Sequence, residues 1–341
     1  MPDESTRVAG RAEPLVRVRG LTKRFHIGGF TTGRATLHAV NGVDLDIRPG
    51  ETLGLVGESG CGKSTVARCI LQLLKPTSGQ VWFEGRPIQD LSWSRARRLR
   101  SRMQIVFQDP VSSLNPRMKI ESIVGEPLRL HTDMDRRSRE RRLRELMDLV
   151  GLEEAHLHRY AHEVSGGQAQ RVGVARAIAT NPDFVVLDEP TSSLDVSVQG
   201  QILLLLLDLQ QRLGLTFLFI SHDLSVIHHV AQRVAVMYLG KIVETGPTRE
   251  VFRNPQHPYT RALIASIPGS GRLEEREAAR LGGEIPSPLQ ILPGCPLAPR
   301  CPLARDVCSE VVPVLEPVGD HRAVACFAAT GWPDARRTAD G

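Results

Sequence analysis

A buried strand, a glycine-rich loop and a helix follow one another near residue 60, and this order constrains the fold more than any other feature. Apolar residues at 52–56 predict the strand, and we expect a helix over 64–74 that Pro76 ends. The loop between them fits the pattern G-x-x-x-x-G-K-[ST]. Glycines allow successive backbone N–H groups to point inward at phosphates, and the helix N-terminus adds positive potential. The sequence therefore predicts a phosphate-binding loop.

The residues of this loop are the first candidate ligands. Lys63 would bridge the β- and γ-phosphates of a nucleotide, and the Ser64 hydroxyl would bind Mg²⁺. A glycine turn without a ligand is the alternative, but the strand before the loop and the helix after it are the context that the motif requires. The candidate nucleotide contacts are Gly57, Glu58, Ser59, Gly60, Cys61, Gly62, Lys63, Ser64 and Thr65.

Two acids stand at the end of a second buried strand. Residues 185–187 are apolar, and Asp188 and Glu189 follow them directly. Because open α/β sheets bind ligands at the carboxyl ends of their strands, we expect both acids near the glycine-rich loop. Asp188 would hold Mg²⁺ through water, and Glu189 would polarise an attacking water molecule. The alternative is a pair of acids that caps the turn at Pro190.

The remaining pattern predicts an α/β fold. Apolar runs at 184–187 and 216–220, with a helix over about 197–213 between them, form a βαβ unit. The core should therefore contain a mainly parallel sheet. Short alternating segments over 15–47 favour an additional antiparallel β layer. Residues 110–165 are rich in arginine and predict a helical insertion.

Composition excludes several classes of protein. Hydrophobic residues make up 41% of the chain and charged residues 24%, which is typical of a soluble globular protein. The most apolar stretch, 202–207, is too short to cross a bilayer, and residues 1–14 have no apolar segment, so we expect no secretory signal there. The formal charge of +5 comes mainly from arginine runs at 95–102 and 136–144. These runs lack aromatic residues for base stacking, so we expect a solvated helix face in a cytoplasmic protein, with no nucleic-acid partner.

A third segment identifies a family. Residues 164–168, Val-Ser-Gly-Gly-Gln, resemble the signature that separates ABC ATPases from other P-loop enzymes. They would open a helix near Ala169 and form a second anion-binding helix N-terminus. A single active site does not need two such termini, and the resemblance implies that the second one reaches the γ-phosphate bound by a partner cassette. The candidate residues are Ser165, Gly166, Gly167 and Gln168.

Four further positions match the same family in order, and their roles are those that the resemblance implies. Gln108 resembles the glutamine that contacts Mg²⁺ and links hydrolysis to the membrane subunits, and His222 resembles the switch histidine that steadies the γ-phosphate. Both join Glu189 as candidate catalytic residues. The tripeptide that ends at Asp195 resembles the D-loop, and Phe25 is the candidate for the aromatic residue that stacks on adenine.

Three longer segments, which begin at Asp195, Asn254 and Gly283, resemble the ATPases of dipeptide and oligopeptide importers. This resemblance covers about residues 14–327. It implies ATP and Mg²⁺ as ligands and a place at the cytoplasmic face of the membrane. The implied partners are two permeases and a second cassette. The second cassette is either identical to this chain or related to it, and we expect a related one. An extracytoplasmic solute-binding protein is implied as an indirect partner. ATPases of nickel importers are close relatives, and a soluble ABC ATPase of DNA repair or translation is the alternative from a different class.

Four cysteines mark the segment that follows the cassette. We expect a disordered leader at 1–14, the ABC cassette at 15–267 and a C-terminal extension at 268–341. Disulfides are not expected in a reducing cytoplasm, and a metal site would fold a proline-rich tail that is hard to stabilise alone. The wide spacings favour an iron–sulfur cluster, and the resemblance implies a [4Fe–4S] cluster, with zinc or no metal as alternatives. The candidate ligands are Cys295, Cys301, Cys308 and Cys326.

Overall fold

Two β-sheets and the helices around them make up the computed structural model, which describes residues 13–28, 35–267 and 279–332. The strands are β1 (Val16–Ile27), β2 (Ala35–Ile47), β3 (Thr52–Val56), β4 (Ser78–Phe83), β5 (Arg86–Pro87), β6 (Met103–Val106), β7 (Phe184–Asp188), β8 (Thr216–Ser221), β9 (Arg233–Tyr238), β10 (Lys241–Pro247), β11 (Glu316–Pro317) and β12 (Ala323–Val324). The α-helices are α1 (Lys63–Ile70), α2 (Trp93–Arg102), α3 (Pro110–Ser113), α4 (Ile120–His131), α5 (Arg136–Leu149), α6 (Gly166–Ile178), α7 (Val196–Leu213), α8 (Leu224–Val230), α9 (Thr248–Arg253), α10 (Pro258–Ala265), α11 (Asp306–Glu310) and α12 (Phe327–Thr330). Short 3₁₀-helices cover Glu154–His158, Ala161–Glu163 and Ala298–Arg300.

The larger sheet is parallel at its centre. Its strand order is β11-β12-β10-β9-β3-β8-β7-β6, and β3 pairs in parallel with both β8 and β9. Every residue of β3, β7 and β8 is buried, as expected for strands that are covered on both faces. Because these strands run in parallel, their carboxyl ends meet at one edge of the sheet, where open α/β sheets bind ligands. The predicted mainly parallel core is confirmed.

The smaller sheet is antiparallel throughout and shares a hydrophobic core with one face of the larger sheet. Its strand order is β2-β1-β4-β5. Val18 and Val40 of this sheet share one hydrophobic core with Leu53 of β3 and Val66 of α1, and all four side chains are fully buried. The predicted antiparallel layer is therefore confirmed, and it packs over the helix that follows the glycine-rich loop.

Helix α1 is shorter than the sequence predicts. The pattern predicts a helix to residue 74, but α1 ends at Ile70. Gln72 has a φ of 55°, in the left-handed region, and the backbone N–H groups of Leu73 and Leu74 both donate to the carbonyl oxygen of Arg68. These bonds satisfy the carbonyl group of Arg68 at the helix end and stabilise the turn at Gln72. The helix therefore ends before Pro76.

Helices α3 to α5 fill the region that the sequence marks as a helical insertion. Helix α5 buries Leu146 and Met147, which pack in the core with Val150. On its outer side, Arg136 pairs with Glu140 four residues later. The arginine-rich segment is therefore an amphipathic helix with a solvated face, as predicted. None of the helices in the described part of the chain combines the length and the apolar character that a membrane span needs.

The C-terminal extension adds two strands to the larger sheet. Strand β12 pairs with β10, and β11 pairs with β12. Arg322 forms a buried ion pair with Glu244 at 2.5 Å. The same carboxylate accepts hydrogen bonds from the backbone N–H groups of Gln256 and His257 at 3.0 and 2.9 Å. The extension thus packs on the cassette. Most of the predicted leader, and the chain just after the predicted boundary at 267, lie outside the described residues.

Removing Arg322 measures how strongly this buried ion pair fixes the extension. The substitution Arg322→Ala leaves the fully buried carboxylate of Glu244 without its cation, and loss of one partner of a buried pair typically costs about 3–5 kcal/mol. We expect the midpoint of urea unfolding to fall. The control is Arg212→Ala, which breaks an exposed ion pair with Asp208 and should cost less than about 1 kcal/mol. Equal shifts for the two variants would contradict this account.

Candidate functional site

The glycine-rich loop joins the carboxyl end of β3 to the N-terminus of α1, and backbone groups crowd it on two sides. A Cβ atom on Gly57 would lie 2.1 Å from the carbonyl oxygen of Met237. A Cβ atom on Gly62 would lie 2.2 Å from the carbonyl oxygen of Ala39, and Gly62 has a φ of 110°. Only glycine fits at these two positions. At the tip of the loop, by contrast, Gly60 has open space around it.

Lys63 is held inside the loop. Its side chain is buried, and its Nζ donates to the carbonyl oxygens of Gly57 and Glu58 at 2.8 and 3.0 Å. The Sγ of buried Cys61 lies 3.9 Å from the same Nζ. Ammonium–carbonyl bonds of this kind can be exchanged for stronger bonds to a charged phosphate. The loop therefore keeps a cation at the place where the sequence motif predicts the phosphates.

Two oxygen ligands for a hard cation lie beside the lysine. The Ser64 Oγ donates to Asp188 Oδ1 at 2.8 Å, which joins the start of α1 to the end of β7. Burial raises the pKa of Asp188, while the hydrogen bond from Ser64 acts in the opposite direction. A divalent cation at this point would hold the carboxylate ionised and offset its desolvation. The pair therefore fits the predicted Mg²⁺ site, since Mg²⁺ prefers oxygen ligands.

The three candidate catalytic side chains lie together. Gln108 Nε2 donates to Glu189 Oε2 at 2.9 Å, and His222 Nδ1 lies 3.2 Å from the same oxygen. These residues follow β6, β7 and β8, three neighbouring parallel strands, so the sheet itself brings them to one edge. The roles of these residues stay predictions. In the structure, Gln108 and His222 contact the same carboxylate oxygen of Glu189.

The backbone of Glu189 is strained. Its φ is 48°, a conformation that non-glycine residues seldom adopt, and its N–H donates to the carbonyl oxygen of Ile220 at 3.0 Å. Such a conformation typically costs about 1–3 kcal/mol and persists where the surroundings hold it. The bond to β8 holds the backbone in this conformation, and the carboxylate of the same residue contacts Gln108 and His222. No sequence signal indicated this strain.

The helix N-terminus at the signature begins earlier than expected. The sequence predicts a start near Ala169, but α6 begins at Gly166. Ser165 Oγ accepts from the backbone N–H of Gln168 at 3.3 Å, and Gln168 Oε1 accepts from the backbone N–H of Ser165 at 3.0 Å. This reciprocal capping box satisfies free donors of the first turn, so the two glycines can be helical.

The signature lies against the D-loop on an exposed surface. A Cβ atom on Gly167 would lie 2.7 Å from Val198 Cγ1, so the first turns of α6 and α7 pack closely. Asp195 is the N-cap residue of α7 and is exposed, as is Ser165. The next residue, Val196, is 85% exposed. The D-loop also reaches the first group of residues, because Ser193 Oγ donates to the carbonyl oxygen of Gln108 at 3.5 Å. The chain therefore presents two groups of candidate site residues that the D-loop connects.

Phe25 lies in β1 and is half-buried, with Lys23 Nζ 5.0 Å from its ring centroid. Its stacking on adenine stays a prediction. Ser59 is exposed at the tip of the loop, and Thr65 is half-buried in α1.

Sequence reasoning missed two residues that contact the loop. Tyr259 Oη accepts a hydrogen bond from the backbone N–H of Glu58 at 2.8 Å, and Arg300 Nη1 lies 3.5 Å from Glu58 Oε2. Tyr259 lies in the segment that begins at Asn254 and resembles the peptide-importer ATPases, but nothing in the sequence pattern indicates a contact with the loop, some 200 residues away along the chain.

The four C-terminal cysteines line one small apolar cavity. All four are partly buried free thiols, and burial raises the pKa of Cys295 to about 11. The pKa values of Cys301 and Cys326 are raised for the same reason. As the side chains stand, no group of three or more His, Cys, Asp or Glu within the described ranges could hold a metal ion. The folding of the extension therefore brings the four thiols together, and a metal remains a proposal.

The strand order, the phosphate-binding loop after β3 and the acids after β7 define a P-loop nucleotide-hydrolysing protein. Comparisons with known proteins refine this class. Residues 40–192 match the ABC transporter family, and residues 243–308 match the C-terminal region of oligopeptide/dipeptide transporters.

Full-length relatives agree with both matches. A probable peptide ABC transporter ATP-binding protein, y4tS of Sinorhizobium fredii, is 49% identical over 92% of this chain and 90% of its own length. The oligopeptide transport ATP-binding protein AppF of Bacillus subtilis is 45% identical over 93% of this chain and 98% of its own. Among solved structures, the dimeric cassette MJ0796 in a post-hydrolysis state with ADP and Pi is 30% identical, with a TM-score of 0.61 over 69% of this chain and 99% of that one.

The chain therefore belongs to the ATP-binding proteins of ABC transporters, in the group that carries the oligopeptide/dipeptide transporter C-terminal region. It is an ATPase that uses ATP with Mg²⁺ and couples hydrolysis to transport.

Two glycine substitutions separate steric crowding from backbone preference in the loop. Gly62→Ala places a Cβ atom against the Ala39 carbonyl group, whereas Gly60→Ala meets nothing within 4 Å although its φ is also positive, at 78°. We expect Gly60→Ala to lower the free energy of unfolding by about 1–2 kcal/mol, and Gly62→Ala to lower it more and to abolish ATP binding. Urea unfolding and calorimetric ATP titration provide the measurements. ATP binding by Gly62→Ala at the wild-type affinity would contradict the described crowding.

Proposed function

We propose that this chain is the ATP-hydrolysing subunit of an ABC importer of dipeptides and oligopeptides, with the candidate site above as its nucleotide site. The observation that carries the nucleotide site is the convergence of Gln108 and His222 on the carboxylate of Glu189, beside the Ser64–Asp188 bond. The relatives named for peptide transport support the choice of cargo. No contact with peptide is expected in this subunit, since the permeases form the path through the membrane.

In this proposal the start of α1 receives the phosphates. The triphosphate accepts hydrogen bonds from the backbone N–H groups of the loop, and Lys63 exchanges the carbonyl oxygens of Gly57 and Glu58 for the β- and γ-phosphates. Ser64 and Gln108 would hold Mg²⁺ directly and Asp188 through water. Bound Mg²⁺ supplies positive charge that offsets the negative charge developing on the phosphate oxygens.

Glu189 then acts on water. When Gln108 releases Glu189 Oε2, that oxygen keeps its contact with His222 and can accept a hydrogen bond from a water molecule in place of Gln108. The water oxygen bonds to the γ-phosphorus, its proton passes to the Glu189 carboxylate, and the bond from the γ-phosphorus to the β,γ-bridging oxygen breaks. His222, held 3.2 Å from the carboxylate, donates to the γ-phosphate and keeps it in line. The products are ADP and inorganic phosphate.

A second cassette completes the site. At the capped N-terminus of α6, Ser165 is exposed, as is Asp195 beside it, and the remaining signature residues are half-buried: Gly166, Gly167 and Gln168. An anion fits such a helix terminus, so the γ-phosphate held by the partner cassette is the ligand that we propose for it. The solved structures of MJ0796 are dimeric, which supports the pairing of this chain with a second cassette. Two permeases would bind the same dimer, which places the chain at the cytoplasmic face of the membrane, and a solute-binding protein would deliver the cargo on the other side.

The four C-terminal cysteines are proposed to hold an iron–sulfur cluster, with zinc as the alternative. Support comes from their arrangement around one cavity and from their number, which matches Cys₄ ligation. Burial that raises the pKa of Cys295 disfavours a bare thiolate, and a bound metal would stabilise the thiolate form. The group would stabilise the extension and has no proposed part in hydrolysis.

Two substitutions separate binding from turnover. Glu189→Gln keeps the shape of the side chain and removes its basicity, so we expect ATP binding to persist while turnover falls by at least about a hundredfold. Lys63→Ala removes the buried cation and should abolish ATP binding. Calorimetric titration and phosphate release measure the two quantities. Turnover by Glu189→Gln at the wild-type rate would show that this carboxylate is not the base.

Anaerobic purification tests the cysteine site. We expect a brown protein with about four irons per chain, because the family resemblance implies a [4Fe–4S] cluster and Cys₄ ligation suits one. Cys308→Ser should lose the iron, whereas Cys69→Ser, which changes a buried thiol in α1, should keep it. Metal analysis and visible absorption decide the outcome. Stoichiometric zinc, or no metal at all, would refute the cluster.

A further inference from the structure

Glu58 is the only acid in the phosphate-binding loop, and a side chain of the C-terminal extension contacts it. Arg300 Nη1 lies 3.5 Å from Glu58 Oε2. The exposed fraction of the Arg300 side chain is 11% and that of Glu58 is 29%, so water screens this pair less than it screens a pair on the open surface. A negative charge in a loop that must receive a triphosphate is unfavourable unless a cation accompanies it.

The position of Arg300 is fixed by neighbours other than Glu58. Its Nη1 also donates to Tyr238 Oη at 3.3 Å, and its Nε donates to the carbonyl oxygen of Gly282 at 3.3 Å. The ring of Tyr238 packs against that of Tyr259, with centroids 4.6 Å apart. Arg300 is therefore held in place by the fold and is not a mobile surface cation.

Tyr259, which packs against Tyr238, also holds the backbone of the loop. Tyr259 is fully buried in α10, and its Oη accepts from the backbone N–H of Glu58 at 2.8 Å. That N–H is therefore engaged by the protein, which fixes the first turn of the loop. Arg300 therefore compensates the charge of the Glu58 side chain, while Tyr259 holds the Glu58 backbone.

Arg300 also belongs to the cysteine-bearing part of the chain. It ends the 3₁₀-helix that precedes Cys301, and its backbone N–H donates to the carbonyl oxygen of buried Leu297 at 2.9 Å. Cys295 and Cys301 lie on either side of this helix and line the shared cavity. A single turn of 3₁₀-helix therefore connects the cysteines of the extension to Arg300, the residue that contacts the nucleotide loop.

We propose that Arg300 is a positioning residue of the nucleotide site, which neutralises Glu58 and so lets the C-terminal extension set the affinity of the loop for nucleotide phosphates. This inference rests on the proposed nucleotide site. Without Arg300, the Glu58 carboxylate stands uncompensated beside the phosphates and weakens their binding. Without the carboxylate, the fixed guanidinium group adds a positive charge and strengthens their binding.

The test is a double-substitution cycle in the full-length chain, with the dissociation constant of MgADP measured by calorimetry, because ADP occupies the loop and is not consumed. We expect Arg300→Gln to weaken binding by about threefold to tenfold, the range of a partly screened ion pair. Glu58→Gln should tighten binding by a similar factor, and the double variant should return close to the wild-type value. All three shifts should shrink at high salt. The matched control is Arg305→Gln, which removes an exposed arginine of the extension that stacks on Trp332.

Arg300→Gln and Glu58→Gln are expected to change the affinity for MgADP in opposite directions. This difference in sign distinguishes charge compensation from support of the fold. If Glu58→Gln weakened binding as much as Arg300→Gln, or if neither changed it, the proposal would be wrong. An equal loss in Arg305→Gln would also overturn it. Should Arg300→Gln fail to fold, the sign of the Glu58→Gln effect still decides. Failure of the nucleotide site itself is recognised separately, because Lys63→Ala would then bind MgADP like the wild type.

Discussion

The loop from Gly57 to Gly62 passes between two backbone carbonyl groups, those of Met237 and Ala39, with no room for a Cβ atom at either contact. Met237 belongs to the larger sheet and Ala39 to the smaller one. The conformation of the loop therefore depends on both sheets being in place. In turn, the loop fixes where α1 begins and directs its N-terminus at the carboxyl end of β3, where an anion is favoured.

Around this loop, the parallel sheet assembles the chemistry. Gln108, Glu189 and His222 are far apart in the sequence, yet each follows a strand of the same sheet, so strand pairing alone brings them within hydrogen-bond distance. The signature depends on a different set of contacts, between the first turns of α6 and α7. In the proposed function, a nucleotide held by the first group of residues would use the second group from another cassette. Hydrolysis would then depend on dimer formation.

Features with a local cause could be predicted from the sequence. The apolar strands β3, β7 and β8, the glycine-rich loop and the arginine-rich amphipathic helix all follow from short-range pattern, and the structure contains them. Positions set by a partner elsewhere in the chain could not. The strained Glu189 depends on a bond to Ile220, and the contact between Arg300 and Glu58 depends on how the extension packs. Periodicity and motif spacing carry no record of these partners.

The most direct test of the account is a cryo-electron microscopy structure of the assembled transporter with Mg²⁺ and a non-hydrolysable ATP analogue. The account predicts that the triphosphate lies on the loop with Lys63 at its β- and γ-phosphates. Ser165 of one cassette should then face the γ-phosphate that is bound by the other. A γ-phosphate that contacts Ser165 of the same chain, or a nucleotide bound away from the loop, would contradict the division of the site between two cassettes.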